Sequence, residues 1–139
     1  MMRFRQTLLP VLVIAALAVV ACSKDGQVNA DLDAVAAFSH ELVNRVKSAP
    51  SPEAGVDAAR SYFDAQRADI AERMTRVKAV RGFQINEETK KHVGETMVGA
   101  AGDVNGLKIS LMMQTISNKD LDAKLGKLID DFNALLTGD

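Results

Sequence analysis

Side chains able to ligate metals or attack substrates are few and scattered along this sequence. There is one cysteine, Cys22, and there are two histidines, His40 and His92. Helical metal sites draw on His-x-x-x-His or Glu-x-x-His pairs, because that spacing puts both ligands on one face; neither pair occurs. Met74, Met97, Met112 and Met113 could serve haem as soft ligands, but no Cys-x-x-Cys-His attachment exists and neither histidine falls on a clear inward stripe. Methionines at helical spacing are otherwise core filler. Asp103-x-Asn105-Gly106 begins like a calcium loop, yet Met112 stands where the bidentate glutamate belongs. Serines such as Ser39 lack a nucleophile-elbow setting, and no glycine-rich phosphate loop follows a strand. Since no acid, base and nucleophile can be assembled, the sequence predicts a protein that is not an enzyme and carries no cofactor or metal.

Cys22 has a more telling setting. Arg3 and Arg5 precede an uncharged run, Leu8 to Ala21, dominated by Leu, Val, Ile and Ala. That run is shorter than the ~20 apolar residues of a membrane span and fits a signal-peptide core. It ends in Val19-Val20-Ala21-Cys22, which resembles the lipobox of bacterial lipoproteins. Small Ala21 suits a narrow protease subsite, whereas Val20 departs mildly from the Ala or Ser more usual there. The resemblance implies cleavage before Cys22, a diacylglyceryl group on its thiol and a further acyl chain on its freed amine. Two or three chains hold where one binds only marginally. Ser23, in place of an aspartate, then implies an outer-membrane address facing the periplasm. The division expected is signal peptide 1–21, lipidated Cys22 with a short tether to residue 30, and a domain over 31–139. The resemblance covers about the first 25 residues and brings no activity with it.

Composition narrows the partners. Removing Arg3 and Arg5 from the 17 basic residues leaves 15 against 18 acidic ones, which gives no global electrostatic reason to bind nucleic acid. Trp is absent and aromatic residues make up 4%, so base-stacking platforms are unexpected. With a single cysteine, intrachain disulfides are excluded.

Apolar periodicity predicts an all-α fold, a small antiparallel four-helix bundle with a long central hairpin of its second and third helices. The first helix is expected over Asp31–Lys47, with Leu32, Val35, Leu42 and Val46 inward and Ser39 interrupting. Ser51 and Pro52 open the second, to about Arg81, with inward Val56, Ala59, Phe63, Ile70, Met74 and Val77. Gln66 and Arg67 break that stripe. Asn86 caps the third, to about Thr115, with Val93, Met97, Val104 and Leu111 inward. This helix is read as continuous through Gly102–Gly106, with Lys108 near the inner stripe and snorkelling to an edge. Ser117 is expected to cap the fourth, with Leu121, Leu125, Leu128, Phe132 and Leu135 inward.

Two surfaces stand out as interaction candidates. Helices two and three would be about 44 Å long against about 27 Å for the outer pair, so the end from Arg73 through Gly82 to His92 should project beyond them. Six basic residues face Glu87 and Glu88 there, making Lys78, Arg81, Phe83, Ile85, Lys90 and Lys91 a candidate tip for anionic lipid or an acidic protein. The competing expectation folds Phe83 and Ile85 back onto Val77, Val80 and Val93. The second surface is Gly99, Gly102, Gly106, Ile109 and Met113, at alternating spacings of three and four. Exposed helical glycine costs ~1 kcal/mol relative to alanine, so this row predicts close approach by a neighbouring helix of the domain, another subunit or a partner. The functional expectation is a membrane-anchored interaction module whose partner is an envelope protein or a second copy. The alternative is a carrier or sensor of a small apolar or haem-like ligand inside the bundle.

Overall fold

The computed structural model describes residues 23–139. The expected signal peptide over 1–21 and the expected lipidation at Cys22 lie outside the described residues. Among the described residues the chain forms α1 (Asp25–Ser48), α2 (Pro52–Ala79), a 3-10 turn (Gly82–Gln84), α3 (Glu87–Ser110), α4 (Met112–Ser117) and α5 (Lys119–Thr137), with no strand. The fold is the expected all-α bundle. α1 packs against both α2 and α3, and α5 against the same two from the other side. α2 and α3 are therefore consecutive in sequence while α1 lies between them.

The caps explain most boundaries. The Ser51 hydroxyl accepts a hydrogen bond from the Ala54 N–H and Pro52 occupies the first turn of α2; both satisfy the helix start at little cost. The Asn86 side chain accepts from the Thr89 N–H to open α3. Asn118, rather than the expected Ser117, accepts from the Leu121 N–H and opens α5. Ser117 instead closes α4, its hydroxyl donating to the Gln114 carbonyl. α3 runs unbroken through Gly102–Gly106 and ends at Ser110. The interruption falls at Leu111, whose φ of −105° and ψ of 10° separate the one-turn α4 from it.

One expected boundary moves with consequence. α1 starts at Asp25, inside the stretch read as tether, because Val28 continues the stripe of Leu32 and Val35 and all three are buried. Asp25 in its first turn complements the positive helix end. The added turns carry α1 to the α2–α3 turn, so that end does not project alone.

The core has two parts. The larger lies where four helices meet, and Phe38 stands at its middle. Its ring centroid lies 5.6, 5.8 and 6.0 Å from those of Tyr62, Phe63 and Phe132. Around these rings pack Leu42, Val56, Val104, Leu107, Leu121, Leu125 and Leu128. The smaller part, at the α2–α3 turn, consists of Val28, Leu32 and Val77 with half-buried Val80, Ile85, Val93 and Met97 against them. In α3 the buried positions are Thr89, Thr96, Ala100, Val104 and Leu107. The expected inward residues Val93, Met97 and Leu111 sit at the edges, and Lys108 is exposed.

Candidate interaction surfaces

The turn between α2 and α3 is tied to the start of α1 by backbone groups. The Lys24 N–H donates to the Gln84 carbonyl at 2.9 Å, and the Asn86 N–H donates to Asp25 Oδ1 at 2.9 Å. Hydrogen bonds from the Thr89 side chain and the Asn86 N–H hold the Asp25 carboxyl below its usual range. The Arg81 N–H donates to Gln84 Oε1 at 2.8 Å, which tightens the turn itself.

Below this turn lies the strongest electrostatic feature, and the sequence reading missed it. Asp31 is buried on α1, its side chain 5% exposed, between two arginines of α2. Arg76 forks onto it, with Nε 3.0 Å from Oδ2 and Nη2 2.8 Å from Oδ1; Arg73 Nη1 donates to Oδ1 at 3.1 Å. A bidentate guanidinium–carboxylate pair is the arrangement in which burial of charge is best compensated. The Arg76 hydrogen bonds, opposed by burial, hold the Asp31 carboxyl below its ordinary value. The signal was present in outline. Asp31 falls on the buried stripe of α1, and Arg73 and Arg76 are three apart, one helical turn on α2.

This clamp withdraws two cations from the expected tip and divides the rest. Lys78 is exposed but turns toward the end of α5, reaching the Gly138 backbone. Lys90 pairs with Glu87, and Lys91 with Glu95. The Lys90 stem lies over Gly82, so it flanks the turn. Arg81 is exposed without a carboxylate partner among the described residues. The two apolar residues part company: Ile85 packs against the small core as the fold-back expectation required, whereas Phe83 stands out with 88% of its surface exposed.

The glycine row is open. No atom of any neighbouring element lies within 4 Å of where a Cβ would stand on Gly99, Gly102 or Gly106. The expected close packing by α1 or α5 is therefore absent: those helices bind α3 through Ala100, Val104 and Leu107, on its opposite side. The open face carries large apolar groups instead. Ile109 is 78%, Met113 73% and Ile116 73% exposed, with Val98 beside them at 75%. Gly99, Gly102, Gly106 and Ile109 step 3-4-3 along α3, the spacing of a helix face that pairs with another, and Met113 and Ile116 lie past the Leu111 interruption on α4. Close helix approach was in fact required, and met, elsewhere. At Gly55 a Cβ would stand 2.4 Å from the Val46 carbonyl oxygen, so only glycine lets α2 leave α1 so tightly.

Other polar groups serve the helix seams. His40 Nε2 lies 3.2 Å from Asp103, and His92 Nδ1 lies 2.9 Å from Asn29 Oδ1, each joining α1 to α3. Asp131 is clamped by Arg60 across the α2–α5 seam. No group of three or more His, Cys, Asp or Glu side chains that could hold a metal occurs among the described residues. A groove of about 460 Å³ runs between α2 and α5, lined by Phe63, Arg67, Met74, Lys78 and Leu135 among others. It marks where Gln66 and Arg67 broke the α2 stripe: that turn has no apolar side chain to bring α5 closer. The groove is open, and a ligand in the bundle interior would have to displace the Phe38, Phe63 and Phe132 rings. No match to this chain was found among protein-family models, curated proteins or solved structures.

Proposed function

We propose that this chain is a bacterial envelope lipoprotein, anchored by lipid on Cys22, whose helical domain binds another protein through the open face of α3 and α4. It works by docking rather than by catalysis. The observation that carries the reading is the exposure of Ile109 at the end of α3 and of Met113 and Ile116 on α4, beside three glycines at which an added Cβ would meet nothing. Contiguous apolar surface of this kind costs solubility unless something covers it, and glycines let a partner backbone come close. The anchoring half of the reading is supported by the placement of the only cysteine where the apolar run stops.

Two experiments test the two halves. Globomycin should accumulate the precursor in cells; unaltered processing removes the lipoprotein assignment. A photo-crosslinking residue at Met113 or Ile116 should capture one envelope protein, while the same residue at exposed Gln66 on α2 captures none. Equal labelling from all three positions would defeat the docking face.

A further inference from the structure

The end of the bundle that holds Ser23, the first described residue, also holds the most exposed aromatic side chain among the described residues. Ser23 precedes Lys24, whose N–H is bonded to the Gln84 carbonyl at 2.9 Å, one residue from Phe83. Cys22 is joined to Ser23 by one peptide bond, and consecutive Cα atoms stand ~3.8 Å apart. The proposed anchor would therefore bring the Gly82–Gln84 turn to the bilayer. A phenylalanine 88% exposed at the apex of a short turn has no packing role, because its neighbour Ile85 already closes the small core. The cations placed at this turn are Lys24, bonded through its N–H to Gln84, Arg81, and Lys90, whose stem lies over Gly82. The acidic groups at this end are Asp25, Glu87 and Glu88. Asp25 is bonded to the Asn86 N–H, Glu87 pairs with Lys90 and Lys91 with Glu95; among the described residues neither Arg81 nor Glu88 has an ion-pair partner, so Arg81 is free to meet a phosphate.

We propose that this turn is a membrane-interface seat: Phe83 enters the boundary between headgroups and acyl chains, with Arg81 on a lipid phosphate, next to the acylated Cys22. The seat rests on the lipoprotein reading, since the anchor supplies the local concentration that one aromatic side chain cannot. Amphipathic elements of this kind sink ~5–10 Å into the interface, and phenylalanine supplies area at low conformational cost. The seat also sets the posture of the domain. α1 and α3 both rise from this end, and the 24 residues of α3 place its far end, to which α4 is joined, about 36 Å away. The docking face is then held up from the membrane instead of lying on it.

The chain contains no tryptophan, which makes the test clean. The Phe83→Trp protein, isolated from membranes with its lipid, is reconstituted into vesicles of phosphatidylethanolamine and phosphatidylglycerol. A Met113→Trp protein is treated alike, and the N-terminal peptide of each is weighed by mass spectrometry. The seat predicts blue-shifted emission from Phe83→Trp, losing about half its intensity to lipids brominated near the top of the acyl chain, within the depth of interfacial burial. Met113→Trp should be unquenched. An acylated peptide with unquenched Phe83→Trp emission overturns the seat and leaves the anchor standing. Blue-shifted but unquenched emission that appears only in native membranes would assign the turn to a protein and also overturn it. A peptide without acyl mass overturns the anchor, and the seat with it.

Discussion

The two ends of this bundle are held by different physics. At the four-helix end, Phe38, Phe63, Phe132 and the leucines around them make one contiguous apolar core. At the turn end, three buried aliphatic residues are supplemented by the Asp31 clamp and the backbone bonds of Lys24 and Asn86. Apolar burial is worth ~25 cal/mol per Å² and does not depend on direction. The clamp and the backbone bonds are directional and individually small in net value. The first end should set global stability and the second should set orientation. A turn that has to present Phe83 in one attitude gains more from geometry than from another leucine.

Truncation in the large core should therefore have the greatest effect. Phe132→Ala removes a ring with no exposed surface and should cost about 3–5 kcal/mol, read as a lowered urea midpoint. Val77→Ala, in the smaller cluster and 8% exposed, should cost about 1–2 kcal/mol. Equal losses would mean that the two clusters are one core energetically.

Asp31→Asn attacks the turn end directly. It strips the carboxylate from two arginines that are each about 30% exposed; water can reach these, so the loss should be about 2 kcal/mol rather than the 3–5 of a fully buried pair. Amide exchange should speed up around Val28 and Val77 while the Phe132 region keeps its protection. The acid limb gives a second reading. The Asp31 carboxyl is held below its ordinary value by Arg76, so its contribution is complete above the unfolded value near ~3.9 and is lost as pH falls through the folded value. Urea midpoints measured from neutral pH down to about pH 3 should fall less steeply for Asp31→Asn than for the parent. Parallel curves would show that the clamp carries no linkage.

How much of this was legible in the sequence depends on the kind of interaction. α2 and α5 show why periodicity works: Val56, Ala59, Phe63, Ile70, Met74 and Val77 are all buried, as are Leu121, Leu125, Leu128 and Phe132. The middle of α3 shows where it fails. Thr96 and Ala100 are buried there, and neither announces itself as apolar in the way that Met97 does. Asp31 was legible only in outline, because a charged residue on an inward stripe resembles a helix boundary until its partners on another helix are known. Of the expected tip, Phe83 and Arg81 are exposed, but this end does not project beyond α1. Arg73, Arg76 and Ile85 turn inward, a choice made by α1, whose full length the polar composition of residues 23–30 concealed.

Glycines then sharpen the contrast between close packing and its absence. Gly55→Ala would drive a methyl group against the Val46 carbonyl, 2.4 Å away and part of the backbone, so α1 and α2 must separate. A loss of about 1–3 kcal/mol is expected, read from the same denaturation curves. Unchanged stability would mean that the α1–α2 junction yields freely.

Gly102→Ala should do the reverse, and it has the smallest effect on the isolated protein. Its added Cβ meets nothing, and alanine in a helix interior is better than glycine by about 0.5–1 kcal/mol because less backbone entropy is lost on folding. The monomer should become slightly more stable. If stability were all that acted on α3, three such glycines in a row would be a standing loss with a simple remedy. A docked helix reverses the account, since each methyl group would hold the partner backbone off α3. The expected pattern is thus a higher urea midpoint together with weaker photo-crosslinking from Met113 to the captured envelope protein. Gain in stability with undiminished crosslinking would remove the glycines from the interface and leave Ile109, Met113 and Ile116 to carry it alone.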